Sequence, residues 1–161
     1  MPRRTDISRK TGGNRHALAA RAAKHKAALA IGIDDAFIST LVDRFYDSVR
    51  KDDLLGPIFA ARVSDWPTHL DRMKSFWSSV LHNSGAYSGN PMLKHLAIPG
   101  LDRGHFDRWL TLFGVTLDGL AHDPAAARTV QERARMIATS LVNGIVIKRG
   151  GLAAAQGLED F

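Results

Sequence analysis

DDAFISTLVDRFYDSVRK, residues 34–51, decides the fold. Phe37, Ile38, Leu41, Val42, Phe45, Tyr46 and Val49 recur at the three- and four-residue spacing that lines one face of an α-helix, and Asp34 or Asp35 is placed to cap its start. The pattern predicts an amphipathic helix that ends near Lys51 and buries its stripe in a core. Tyr46 lies in that stripe and carries a hydroxyl. A buried phenol needs a partner, so the O–H either bonds a neighbouring carbonyl or is a donor aimed into a cavity.

Downstream the same reading repeats. Gly56 and Pro57 break the helix, and Leu54, Leu55, Ile58 and Phe59 fold back as a short corner. Ser64 or Asp65 caps the next helix, Pro67 fits its first turn, and Trp66, Leu70, Met73, Phe76, Trp77, Val80 and Leu81 form a wide apolar stripe with His69 on its edge. A loop from His82 to Gly89 holds Tyr87 and leads to NPMLKHLAIPG, residues 90–100. There Asn90 caps, Pro91 opens the first turn, and Pro99 and Gly100 end a helix of about two turns. His95 sits on it beside Met92, Leu93 and Leu96, with no acid close in sequence to hold it. Such a histidine is either a packed, hydrogen-bonded side chain or a metal or haem ligand, and the local context alone favours the first. Asp102 opens a further helix burying Phe106, Trp109, Leu110, Phe113, Leu117 and Leu120. Asp123 and Pro124 open the last, which turns Val130, Ala134, Ile137, Ala138, Leu141 and Ile145 inward and stops at Lys148 to Gly151. Nothing alternates like a strand, and there is no internal repeat. The fold class is all-α, with four substantial helices and one short one.

The chain divides into a basic, partly disordered extension (1–30), a domain (31–150) and a C-terminal tail (151–161). Within the extension, residues 1–15 read as disordered and 16–30 as an Ala-rich helix. The net charge of +6 belongs to this appendage, because the first thirty residues hold eight Lys and Arg against one acid, Asp6, and the rest is near neutral. A solvated tail is the favoured reading, ahead of an arm for nucleic acid or anionic membrane and of an Arg-rich transit peptide. With no cysteine among 161 residues, disulfides, thiolate metal sites and Cys nucleophiles are excluded. No apolar run suits a bilayer, so a cytoplasmic protein is the default. HExxH, a P-loop, GxGxxG and GxSxG are all missing, and the acids lie outward or at helix ends. What the interior holds is aromatic bulk with a few polar tips, which suits a large apolar cofactor and a small polar ligand.

FYDSVRKDDLLGPIF, WPTHLDRMKSFWSSVL and YSGNPMLKHLAIPGLDRGHFDRWLTLF, three ordered blocks, make residues 34–149 resemble the truncated haemoglobins, most closely their third group. The Gly-Gly pairs that flank helices in other truncated haemoglobins are absent from ALAIGIDD and NSGAYSGNP, as in that group. The resemblance implies a globin-like two-over-two helical sandwich holding haem b, with His95 as the proximal iron ligand and Tyr46, His69 and Trp109 on the distal side. Phe45, Phe59, Leu70, Met73, Phe76, Leu96, Phe106 and Phe113 would exclude water and bury the porphyrin. Arg72 and Lys74 are candidates to pair with its propionates, although a solvated helix face is the plainer reading for either. The second N–H of His95 then needs an acceptor, which a backbone carbonyl at the end of so short a helix would supply.

The implied function is binding of O2, NO or similar diatomic ligands, with the donors holding oxygen too tightly for bulk transport. An enzyme using the same site, a nitric oxide dioxygenase or peroxidase-like protein, is the alternative. It would need a separate reductase, since the chain has no flavin or nicotinamide domain. A haem-free interaction protein is the third reading, disfavoured because such a core has little use for His95, Tyr46 and Trp109 together.

Overall fold

Asp34 caps the first strongly patterned helix, its carboxylate accepting the Phe37 N–H at 2.7 Å. The computed structural model describes residues 8–157, and side-chain surroundings for residues 12–150. Seven helices follow in order: α1 (Ser8–Ala30), α2 (Asp35–Lys51), α3 (Gly56–Arg62), α4 (Trp66–His82), α5 (Pro91–Leu96), α6 (Arg103–Leu120) and α7 (Pro124–Gly157). There is no strand among the described residues, and no helix there is long and apolar enough to cross a membrane. α2 packs on α4 and α6 packs on α7, with α2 also crossing α6, which makes the expected two-over-two sandwich.

The predicted caps are the observed ones: Asp65 for α4, Asn90 for α5 and Asp102 for α6. Three expectations are corrected. Residues 8–15 are helical, not disordered; the reading of 1–7 falls outside the described residues. The corner leads into a helix in its own right, α3 from Gly56 to Arg62, because Pro57 sits in its first turn, where its missing N–H costs nothing. α7 runs through Gly150 and Gly151 to Gly157, so the tail is helical as far as it is described, and 158–161 lie outside. Each glycine costs a helix only about 1 kcal/mol relative to alanine, and a packed helix extends cooperatively through good formers on the far side.

α1 stops at a turn. Gly32 has φ +86, its N–H bonds Leu29 O at 3.1 Å, and Ile33 N–H reaches back to Ala28 O at 2.9 Å. That pair of bonds defines a Schellman end, and it buries Ile33 completely. His82, read from the sequence as loop, is the last residue of α4 and is buried. Its Nε2–H donates to the Ile33 carbonyl at 2.6 Å and its ring lies 4.4 Å from that of His25, so one imidazole fastens α1 and the start of α2 to α4. Asp52 does the same for the next corner. It accepts the Leu54 and Leu55 N–H groups and, at 2.7 Å, Nε of Arg108 on α6.

The main core is aromatic at its centre. Phe113 stacks between Trp77 and Trp109, at 5.0 and 5.1 Å, and meets Phe45 edge-on at 5.0 Å. A second cluster, Leu101, Phe106, Ala138, Leu141, Val142 and Ile145, seats the short helix α5. Met92 of α5 lies on α7 at Gly144, where any Cβ would collide with it.

Phe113→Ala should cost about 3–5 kcal/mol of stability by urea denaturation, against under about 0.5 kcal/mol for exposed Val115→Ala. Equal losses for the two would contradict this account of the core.

Candidate functional site

Between α2, α3 and α4 on one side and α5, α6 and α7 on the other lies a cavity of about 510 Å³. His95, Tyr46, His69, Trp109, Phe59, Met73 and Phe76, all expected at a site, line it together. Phe45, Leu70 and Leu96 do not. Phe45 is sealed in the core, where it buttresses the wall by meeting Tyr46 and Trp109 edge-on at 5.0 and 5.3 Å. Leu70 and Leu96 are half-buried against the two core clusters.

α5 turns the His95 ring so that Nδ1 lies 2.6 Å from the carbonyl oxygen of Pro91, one turn earlier. A carbonyl only accepts, so Nδ1 carries the proton and donates it, and the lone pair of a neutral ring falls on Nε2. The acceptor is a carbonyl of the short helix itself, in its first turn. No carbonyl among the described residues takes up the Tyr46 hydroxyl, which favours the donor reading of the two open in the sequence. Burial pushes the Tyr46 phenol far up, so it stays protonated and a donor at any ordinary pH.

His69 is left partly unsatisfied by the protein. Its Nε2 is buried without a hydrogen-bond partner. Burial, followed by the positive charges of Arg72 and Lys94, holds its imidazole below the usual 6.5 and hence neutral. Such a nitrogen suits a ligand that arrives from outside the chain.

The charges separate by depth. Arg62, Arg72 and Lys94 line the cavity, all three are exposed, and the lining has no Asp or Glu. None of the three forms an ion pair among the described residues. Lys74, the companion candidate to Arg72, is engaged elsewhere, 2.9 Å from Asp43, and lies off the lining. The arrangement fits a broad apolar cofactor with acidic groups at its edge.

Several lining residues carried no signal in the sequence as site residues. Arg62 and Lys94 are not singled out by any pattern in the sequence, and Tyr87 reads as a loop residue among Gly and Ser. His105 reads as part of a helix start, and it does form a capping box with Asp102. In that box Nδ1 accepts the Asp102 N–H at 3.1 Å. The periodicity that found the helices says nothing of which loops cover a cavity.

The sequence matches the family model described as bacterial-like globin over residues 29–143. It is 37% identical over 123 residues to the group 3 truncated hemoglobin ctb of Campylobacter jejuni, spanning 74% of this chain and 95% of that protein. The crystal structure of the group III truncated hemoglobin from Campylobacter jejuni superimposes with a TM-score of 0.66 at 35% identity, over 70% of this chain and 91% of that one. The group II truncated hemoglobin from Bacillus anthracis gives a TM-score of 0.61 at 27% identity, over 71% and 88%.

The low proton affinity of His69 has a consequence for stability. Below about pH 6.5 the unfolded chain protonates this group more readily than the folded protein does, so stability is whole above that pH and falls as pH drops toward the folded midpoint. Urea denaturation of the parent and of His69→Gln, at neutral pH and in the acid range below 6.5, should show a smaller acid loss in the variant. The same loss in both proteins would count against it.

Proposed function

The chain belongs to the bacterial-like globin family, as a truncated haemoglobin of the third group, and from that premise we propose that it binds haem b and, there, oxygen and other small diatomic ligands. The observation that carries the reading is the His95 ring. With Nδ1 committed to Pro91 O at 2.6 Å, it offers the Nε2 lone pair in the wall of a cavity of about 510 Å³.

The residues present fit the group. Among the described residues no three His, Cys, Asp or Glu gather to hold a free metal ion, so one imidazole has to suffice, as it does for iron already held by a porphyrin. Without cysteine there is no thioether attachment, and haem b is the form the family resemblance implies. Phe59, Met73, Phe76 and Phe106 supply apolar walls, and Arg62, Arg72 and Lys94 on the lining would balance the two propionates.

Haem supplies an iron that takes up a diatomic ligand. The chain supplies the rest. His95 gives a neutral nitrogen whose orientation is set by its second hydrogen bond. Tyr46 offers an O–H and Trp109 an indole N–H to a ligand that gains negative charge, and His69 offers its unpartnered Nε2 as a further donor or as a gate. The aromatic lining excludes water that would compete for these donors. Each donor contributes on the order of 1–3 kcal/mol, so together they hold oxygen too firmly for bulk transport and favour O2 or NO chemistry at the site.

The purified protein should show a Soret band at one haem per chain, and His95→Ala should lose it. Tyr46→Phe should speed oxygen release by about tenfold or more in stopped-flow measurements. A colourless protein that takes up no added haem would overturn the reading, and an oxygen release rate unmoved in Tyr46→Phe would remove the donor from it.

A further inference from the structure

Behind His69 stand two residues that do not line the cavity, Trp66 and Arg50. Tyr46 and Arg50 are one turn apart on α2, and Trp66 and His69 are three residues apart on α4, so each pair presents two side chains on one face of its helix. The Trp66 ring meets the His69 imidazole edge-on, 5.5 Å away at 84°. Tyr46 meets it at 5.2 Å and 88°, and Phe59 at 6.3 Å and 69°. Phe59 and Trp66 stack on one another at 6.3 Å, and the Arg50 guanidinium caps the Trp66 ring, 4.4 Å from its centroid.

We propose that Trp66, pinned by Arg50, is a positioning residue that keeps the His69 imidazole inside the cavity. This rests on the function proposed above and assigns the restraint on its third polar group. A buried imidazole nitrogen without a partner would gain hydrogen bonds by swinging out to water. Something has to oppose that exit, and the described contacts of His69 are these three aromatic rings. Tyr46 is buried in the core and Phe59 lines the cavity, whereas Trp66 is half-buried and off the lining, so Trp66 is the wall on the solvent side. Being the first residue of α4, directly after the Asp65 cap, its backbone is fixed by that cap, but its ring needs a further hold. Arg50 provides it: a cation over an indole at an exposed site biases the ring toward the closed position by about two- to fivefold.

The test uses the haem-loaded protein, with carbon monoxide as the probe, and three variants. Trp66→Leu removes the ring, Trp66→Phe restores one, and Arg50→Met keeps the aliphatic stem without the charge. Trp66→Leu should raise carbon monoxide binding after flash photolysis severalfold and move the His69 titration midpoint, followed by imidazole NMR, up toward the ordinary histidine value. Trp66→Phe should recover most of both properties. Arg50→Met, which leaves the core untouched and so serves if Trp66→Leu fails to fold, should raise the binding rate by about two- to fivefold. Parental binding rates and a parental His69 midpoint in Trp66→Leu and Arg50→Met would overturn the proposal. Failure to take up haem would defeat the function proposed above instead; the His69 midpoint, read in the protein as isolated, would still decide this one.

Discussion

The site depends on holding one imidazole still, and the helix that carries it is six residues long. A helix of that length has no stability of its own in water. Its order is therefore borrowed. Asn90 Oδ1 accepts the Leu93 N–H at 3.2 Å, and Arg62 of α3 donates to the Ala97 carbonyl at 3.1 Å, satisfying a backbone group at each end. Met92 seats on the bare backbone at Gly144, and Leu96 and Ile98 pack against the second core cluster. A side chain at Gly144 would meet the tip of Met92, so the glycine is what lets that side chain lie directly on the α7 backbone beside the helix that carries His95.

Two polar groups inside the cavity, Tyr46 and His69, are held in their neutral forms for a common reason. Burial raises the Tyr46 phenol and lowers the His69 imidazole, and in both cases it is the charged form that is disfavoured. The full charges, Arg62, Arg72 and Lys94, sit on exposed side chains at the mouth, where water offsets their cost. An apolar space with neutral donors within and cations at its edge is selective in two ways at once. Under the function proposed above, the edge charges would meet a large flat group and the interior donors a small polar one.

Much of this was legible in the residues. Periodicity found α2, α4, α6 and α7 because each buries one stripe, and Asp34, Asp65, Asn90 and Asp102 marked their starts and that of α5 because a short polar side chain there meets free N–H groups. Tyr46, His69 and Trp109 stood out as polar tips within apolar stripes, and the structure brings them with His95 to one cavity. What stayed hidden depends on contacts distant in sequence. Gly144 meets Met92 across about fifty residues, and His82 was a loop residue until its bond to Ile33 O, 49 positions away, made it a fastener. Phe45 shows the opposite failure. Its place in the stripe made it buried, but the stripe is wider than the cavity, and only packing decides which members line the space and which stand behind it.

The acceptor chosen for His95 also bears on the chemistry. A carboxylate beside Nδ1 would pull the proton toward itself and make the ring a stronger electron donor, as cleavage of a peroxide bond asks of a proximal ligand. Pro91 offers a neutral carbonyl instead, at 2.6 Å, and no carboxylate lines the cavity. The hydrogen bond is short enough to fix the ring but adds no negative charge behind it. Under the function proposed above, donors on one set of walls and an uncharged partner for the imidazole on the other would suit holding a diatomic ligand.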